Sequence, residues 1–185
     1  MVNKVLKETE EKMKKSVEVV RQEFAKIRTG KATTALLDGI KAEYYGSLVP
    51  LNQMANISVS DVHTLVVQPW DKSALQAIEK AILQSELGLN PINDGNILRI
   101  PIPPLTEERR KDLVKLCKKF AEDGRIAVRN VRRDAIEHLK KMEKDEHLSE
   151  DDRKLAEKEV QKLTDKYIEH INELLEHKEK EIMEV

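Results

Sequence analysis

The sequence predicts an α+β protein: an elongated three-helix bundle interrupted by a small inserted β/α/β domain. Charged residues make up 36% of its 185 positions and aromatics only 3%, a balance suited to long charged helices with aliphatic cores. Apolar residues recur in threes and fours over both ends of the chain, whereas the middle carries short β-branched runs between turn residues. The length suffices for one sizeable core or two small ones.

The first helix occupies residues 1–28, with Met13, Val17, Val20, Phe24 and Ile27 forming one seam. Gly30, within the run Arg28 to Lys31, is placed as its C-terminal cap. Helical period returns after Pro103 and Pro104, where Thr106 suits an N-cap and Glu107 and Glu108 favour the positive end of the helix dipole. That seam runs through Leu113, Cys117, Phe120, Gly124, Val128, Val131, Ala135, Leu139 and Met142. Gly124 marks either a close helix approach or a local weakness. After a turn at His147 and Leu148, Ser149 starts a last helix with Val160, Leu163, Tyr167, Ile171, Leu174 and Ile182 inward. No helix with a single apolar seam is stable alone, so the three pack together.

Between them, Ile40–Tyr45, Ile57–Val59, Thr64–Gln68 and Asn96–Ile102 read as strands. A helix starts at Asp71 or Ser73 and runs to about Leu87, with Ala74, Ala77, Ile78, Ala81 and Ile82 inward and Gly88 ending it. Asn93, Asp94 and Gly95 form a turn. The bundle then comprises residues 1–30 and 105–185, and the inserted domain 31–104. The two adjacent connections, Thr29, Gly30, Lys31 and Pro103, Pro104, Leu105, can act as a hinge.

Composition and motifs exclude several function classes. No apolar run is long enough to span a bilayer, and the N-terminus enters a charged helical pattern with no secretory core or Arg-rich presequence, so the expectation is a soluble cytoplasmic protein without membrane contact. Cys117 is the one cysteine, which rules out an intramolecular disulfide, and its apolar position suits a buried thiol. There is no GxxxxGK[ST] or GxGxxG loop, the histidines lack zinc-ligand spacing, and Glu150, Asp151 and Asp152 read as helix-capping charge. Nothing pairs a nucleophile with a base, so neither enzyme nor cofactor or metal site is expected. Tyr44, Tyr45 and Trp70 could stack on bases; packing a small core is the plainer reading.

One stretch stands out. In RIAVRNVRRD, Arg125 to Asp134, a step of roughly 100° per residue sets Arg125, Arg129, Arg132 and Arg133 on one side of a helix beside its seam, with Lys111 and Lys118 in line. Guanidinium forks suit phosphate oxygens, so the row is a candidate for docking on nucleic acid; the bland alternative is an ion-paired, solvated face. Charge supports the former. Residues 1–30 and 107–145 carry net +3 and +4, against −2 for 31–106 and −6 for 146–185. The basic surface should lie on the first and third segments, with the acidic last helix turned away.

PPLTEERRKDL (Pro103–Leu113), RIAVRNVRRD and the pattern EDD…VQKLTD (Glu150–Asp165) together resemble the ribosome recycling factor family, as do IRTGKA (Ile27–Ala32), LLDGI (Leu36–Ile40), EYYG (Glu43–Gly46), WDKS (Trp70–Ser73) and LGLNP…DGN (Leu87–Asn96). The resemblance covers essentially the whole chain in the family's order. It implies an L-shaped, tRNA-like monomer that binds the 70S-type post-termination ribosome through large-subunit ribosomal RNA. Elongation factor G and GTP then drive the small domain to split the subunits, the factor acting as a wedge with no active site or cofactor. By the same resemblance the ribosome-contacting residues are Arg129, Arg132 and Arg133, Arg132 foremost, with Arg110 and the hinge-proximal Arg28. Arg125 belongs to the row by helix geometry. The chain departs from the family pattern at Thr34 and Leu48, where Pro is frequent, and at His63, where Arg is usual, all in the small domain.

Overall fold

The computed structural model describes residues 1–184 and contains two compact units. One comprises Met1–Arg28 with the chain from Thr106 onward, the other Thr29–Leu105.

In the first unit α1 (Val2–Ala25), α3 (Glu107–Asp145) and α4 (Glu150–Met183) each pack against the other two. The longest, α3, measures about 58 Å at 1.5 Å per residue. Its N-cap is Thr106, whose hydroxyl accepts from Arg109 N (3.1 Å); Ser149 caps α4 through Asp152 N (3.1 Å). The acidic residues Glu150, Asp151 and Asp152 fall in the first turn of α4, where the dipole favours them. Between the helices His147 takes φ +60°, and Leu148 N returns to Met142 O at 3.3 Å. Arg153 ties this corner by bridging Glu143 of α3 and Glu157 (2.8 Å).

The core follows the seams with local exchanges. Met13, Val17, Val20 and Phe24 of α1 meet Leu113, Cys117, Val128 and Leu139 of α3 and Val160, Tyr167, Ile171 and Ile182 of α4, all buried. Phe120, Val131, Leu163 and Leu174 are only half-buried, while Ala121 and Ala156 are buried. Thr9 and Thr164 enter the seams because each hydroxyl bonds back to a carbonyl four residues earlier, at 2.7 and 2.8 Å. Gly124 is a close-approach site: a Cβ there would lie 2.3 Å from Val20 Cγ2 and 3.2 Å from Ile171 Cδ1.

Gly30 does not cap α1, which ends at Ala25 with Ile27 N closing a tight turn on Phe24 O (3.1 Å). With φ +77°, Gly30 belongs instead to the second unit, where a Cβ would approach Leu105 N to 3.0 Å.

That unit contains a hairpin of β1 (Lys41–Tyr44) and β2 (Ser47–Pro50). It also holds an antiparallel sheet in the order β3 (Ala55–Asp61), β4 (Thr64–Pro69), β6 (Leu98–Pro101), β5 (Ile92–Asn93). Two departures from the sequence reading, β2 and β5, are short strands without alternation. The hairpin turns at Tyr45 (φ +49°) and Gly46 (φ +79°), a pair of positive φ values that matches strand twist. The helix α2 (Leu75–Gln84), preceded by a 3-10 turn at Lys72–Ala74, is shorter than Gly88 implied. Ser85 ends it, its hydroxyl donating to Ile82 O at 2.6 Å. Ile78 and Ile82 pack on Leu65, Val67, Leu98 and Ile100.

The β3–β4 turn gathers both connections of the insert. Ala32 N donates to Val62 O and Ile102 N to His63 O, each at 2.7 Å. The His63 ring donates through Nδ1 to Gly30 O at 2.9 Å, since a carbonyl can only accept.

Candidate nucleic-acid interface

All the row arginines, Arg125, Arg129, Arg132 and Arg133, lie on α3 within about 12 Å along the axis. The helix is continuous there because Ala121, Gly124, Val128 and Ala135 keep the buried period while the arginines, good helix formers, take the neighbouring angle. Arg125 and Arg132 flank the buried stripe and are half-buried; Arg129 and Arg133 stand further round and are exposed.

Each is held differently. Arg125 Nε donates to Asn172 Oδ1 of α4 (2.8 Å) and its Nη1 pairs with Glu122 Oε2 (2.9 Å). Arg129 Nη1 takes the other oxygen of Glu122, at 3.2 Å. The two guanidinium groups, Arg125 first, hold the Glu122 carboxyl below its usual range. Arg132 Nε donates to Gln161 Oε1 of α4 at 2.7 Å, and Arg133 Nη2 to Asn130 Oδ1 at 3.0 Å. Among the described residues neither Arg132 nor Arg133 has a carboxylate partner. The row thus divides into two ion-paired arginines and two whose partners are neutral amides.

The last helix is not turned away from this row. Asn172 and Gln161 of α4 border it directly, because both flank the α3–α4 seam. Lys111, on the same line further up α3, pairs with Glu107 at 3.5 Å.

The remaining predicted residues lie apart from the cluster. Arg110 is about 22 Å up α3 from Arg125 and about 60° round towards the buried stripe, so it is half-buried, and its Nε is enclosed without a hydrogen-bond partner. Arg28 is exposed on the segment after α1. Thr29, Gly30, Lys31, Pro103, Pro104 and Leu105 lie at the edge of the second unit, with Gly30 buried against Leu105.

Of Tyr44, Tyr45 and Trp70, only Tyr44 packs against the small core as the plainer reading held; Tyr45 and Trp70 do not. Tyr45 is 83% and Trp70 63% exposed, because the positive-φ turn lifts Tyr45 off the sheet and Trp70 precedes the Asp71 cap. Only Tyr44 is half-buried, its hydroxyl donating to Asp71 Oδ2 at 2.8 Å and its ring meeting Tyr45 edge-on. Cys117 is fully buried, and burial pushes its thiol up to about 11. No helix among the described residues is long and apolar enough to cross a membrane. Sequence reasoning missed Gln161, Asn172 and Asn130. Asn130 was legible three residues before Arg133; the α4 amides needed the α3–α4 register.

The profile of the ribosome recycling factor family matches residues 20–183, and the chain belongs to that family. It is 57% identical to the ribosome-recycling factor of Symbiobacterium thermophilum over 185 residues, covering 100% of both chains. Identity to that of Oleidesulfovibrio alaskensis is 56% over 181 residues, covering 98% of each. A solution structure of ribosome recycling factor aligns over 100% of this chain and 98% of its own, with a TM-score of 0.77 and 52% identity. The T. thermophilus ribosome recycling factor, in a structure with E. coli elongation factor G bound to the E. coli post-termination complex, covers 99% of both chains, with 54% identity and a TM-score of 0.63.

Proposed function

We propose that this chain splits post-termination ribosomes into subunits for reuse, acting with elongation factor G and GTP as a non-catalytic wedge. In this reading it is a cytoplasmic monomer without cofactor. The bundle, Met1–Arg28 with the chain from Thr106 onward rather than residues 1–30 and 105–185, docks on large-subunit ribosomal RNA through the arginine row, with Arg132 and Arg133 foremost and Arg129, Arg125, Arg110 and Arg28 contributing. The GTPase moves the insert, Thr29–Leu105, about its two edge segments Thr29–Lys31 and Pro103–Leu105.

The observation that carries this reading is the pairing of family identity along the whole chain with the clustered arginines, two of which spend no charge on a carboxylate. A guanidinium held by a neutral amide keeps its full charge for phosphate, so binding should fall steeply with salt. The exposed Tyr45, Leu48 and Trp70 supply the insert with apolar contact area for a protein partner.

Light scattering tests it. Post-termination 70S ribosomes, this protein, elongation factor G and GTP should together lower the scattering, and omission of any component should abolish the fall. Salt-sensitive binding that leaves whole ribosomes intact would instead indicate a factor that holds them idle.

A further inference from the structure

We propose that Gln161 of α4 is a positioning residue that presents Arg132 to phosphate, an inference that rests on the ribosomal-RNA reading above. Arg132 and Gln161 are 29 positions apart and on different helices, yet Arg132 Nε donates to Gln161 Oε1 at 2.7 Å. The other end of the same amide, Nε2, donates to Asp165 Oδ1 at 2.9 Å. A guanidinium only donates and a carboxylate only accepts, so the two neighbours fix the amide in one orientation. Arg132, Gln161 and Asp165 form a chain of bonds from α3 into α4.

The chemistry of the link is specific. The inner nitrogen of Arg132 is engaged, while Nη1 and Nη2 have no protein partner among the described residues. The outward edge of the guanidinium therefore stays available for two parallel bonds to phosphate oxygens. A glutamate at 161 would grip Arg132 harder and cancel its charge; an aliphatic residue would leave a long side chain to order itself on binding. Glutamine orders the arginine and leaves its charge intact.

Arg125 provides the internal contrast. Asn172, also on α4, accepts from its Nε at 2.8 Å in the same manner, but its Nη1 is taken by Glu122 at 2.9 Å. The α4 amide is thus used twice along the row, and only at Arg132 does it leave the terminal nitrogens open.

A double-mutant cycle on the full chain tests the inference, with vacant 70S ribosomes as the probe and affinity measured across a KCl series. Gln161→Leu should weaken binding by about three- to tenfold, the usual net worth of one hydrogen bond, with unchanged circular dichroism and melting temperature. In an Arg132→Ala background the same change should cost nothing more. Gln161→Glu retains an acceptor for Nε, and should weaken binding while lowering the slope of log affinity against log salt by about one. Additive losses, or wild-type affinity for Gln161→Leu when Arg132→Ala binds weakly, would overturn the positioning role and spare the phosphate reading. Wild-type affinity for a folded Arg132→Ala chain would overturn the reading itself, and the positioning role with it.

Discussion

In the bundle, the four row arginines proposed to meet RNA are already held by polar neighbours. In the insert, the side chains most available to a partner are apolar and uncovered, with Tyr45, Leu48 and Trp70 at 83%, 70% and 63% exposure. A prearranged charged row loses little entropy on binding and demands a matched, fixed anion pattern. Apolar side chains on a turn and a cap tolerate a partner whose approach changes. The same division appears in the packing, where the bundle's helices close on a glycine and the insert's glycines mostly face open space.

The strongest way to break this comparison is to crowd Gly124. A valine there meets Val20 and Ile171 at sub-contact distances, so Gly124→Val should cost about 3 kcal/mol in urea unfolding, the upper end for overpacking. Val20→Ala in the same chain should recover part of it. By contrast, nothing lies within 4 Å of a Cβ added at Gly39, Gly88 or Gly95, so alanine there should cost only the strain of a positive φ, about 1 kcal/mol.

Gly30 is the insert's exception and the next largest effect. Gly30→Ala combines φ +77° with a 3.0 Å approach to Leu105 N, and should cost about 2 kcal/mol from strain and crowding together. His63→Ala should leave the fold intact but release Gly30 O, which hydrogen exchange would report as faster exchange at Ala32 and Ile102, the amides bonded to the same turn. Unchanged exchange would mean that the turn holds both connections without the imidazole.

How far the sequence was legible follows the same divide. Long seams such as Met13, Val17, Val20, Phe24 repeat one period often enough to overrule local propensity, so the three bundle helices and their caps at Thr106 and Ser149 could be read directly. In the insert, Leu48–Val49 and Ile92–Asn93 are too short to show a period, and their strand state depends on partners elsewhere in the chain. The arginine row was visible because a helix alone sets its angles. Which arginines keep their charge was not, since Gln161 and Asn172 reach them only across the packed pair α3 and α4. Arg110 is the converse case: helix geometry alone sets its angle towards the stripe, and its Nε is enclosed there.

The finest comparison uses one tyrosine in each unit. Tyr167 OH donates to Glu10 Oε1 at 2.7 Å between α4 and α1, and Tyr44 OH to Asp71 Oδ2 at 2.8 Å. Burial, then the hydrogen bond to Glu10, raises Tyr167 to about 12; for Tyr44 the bond to Asp71 comes first, and the value is again about 12. A pKa raised by folding contributes stability that is complete below the unfolded value near 10 and is lost as pH climbs towards 12. Ultraviolet titration of single-tyrosine chains should therefore place both tyrosinates about two units above a free phenol. Tyr167→Phe should cost about 1 to 2 kcal/mol at neutral pH, because Glu10 loses a donor in a partly enclosed interhelical site. Tyr44→Phe should cost less, since Asp71 keeps two bonds from Ser73 that hold its carboxyl low without the tyrosine. An equal loss at both sites would show that the insert depends on its polar links as much as the bundle does. A normal titration for Tyr167 alone would mean that the α1–α4 link is open in solution.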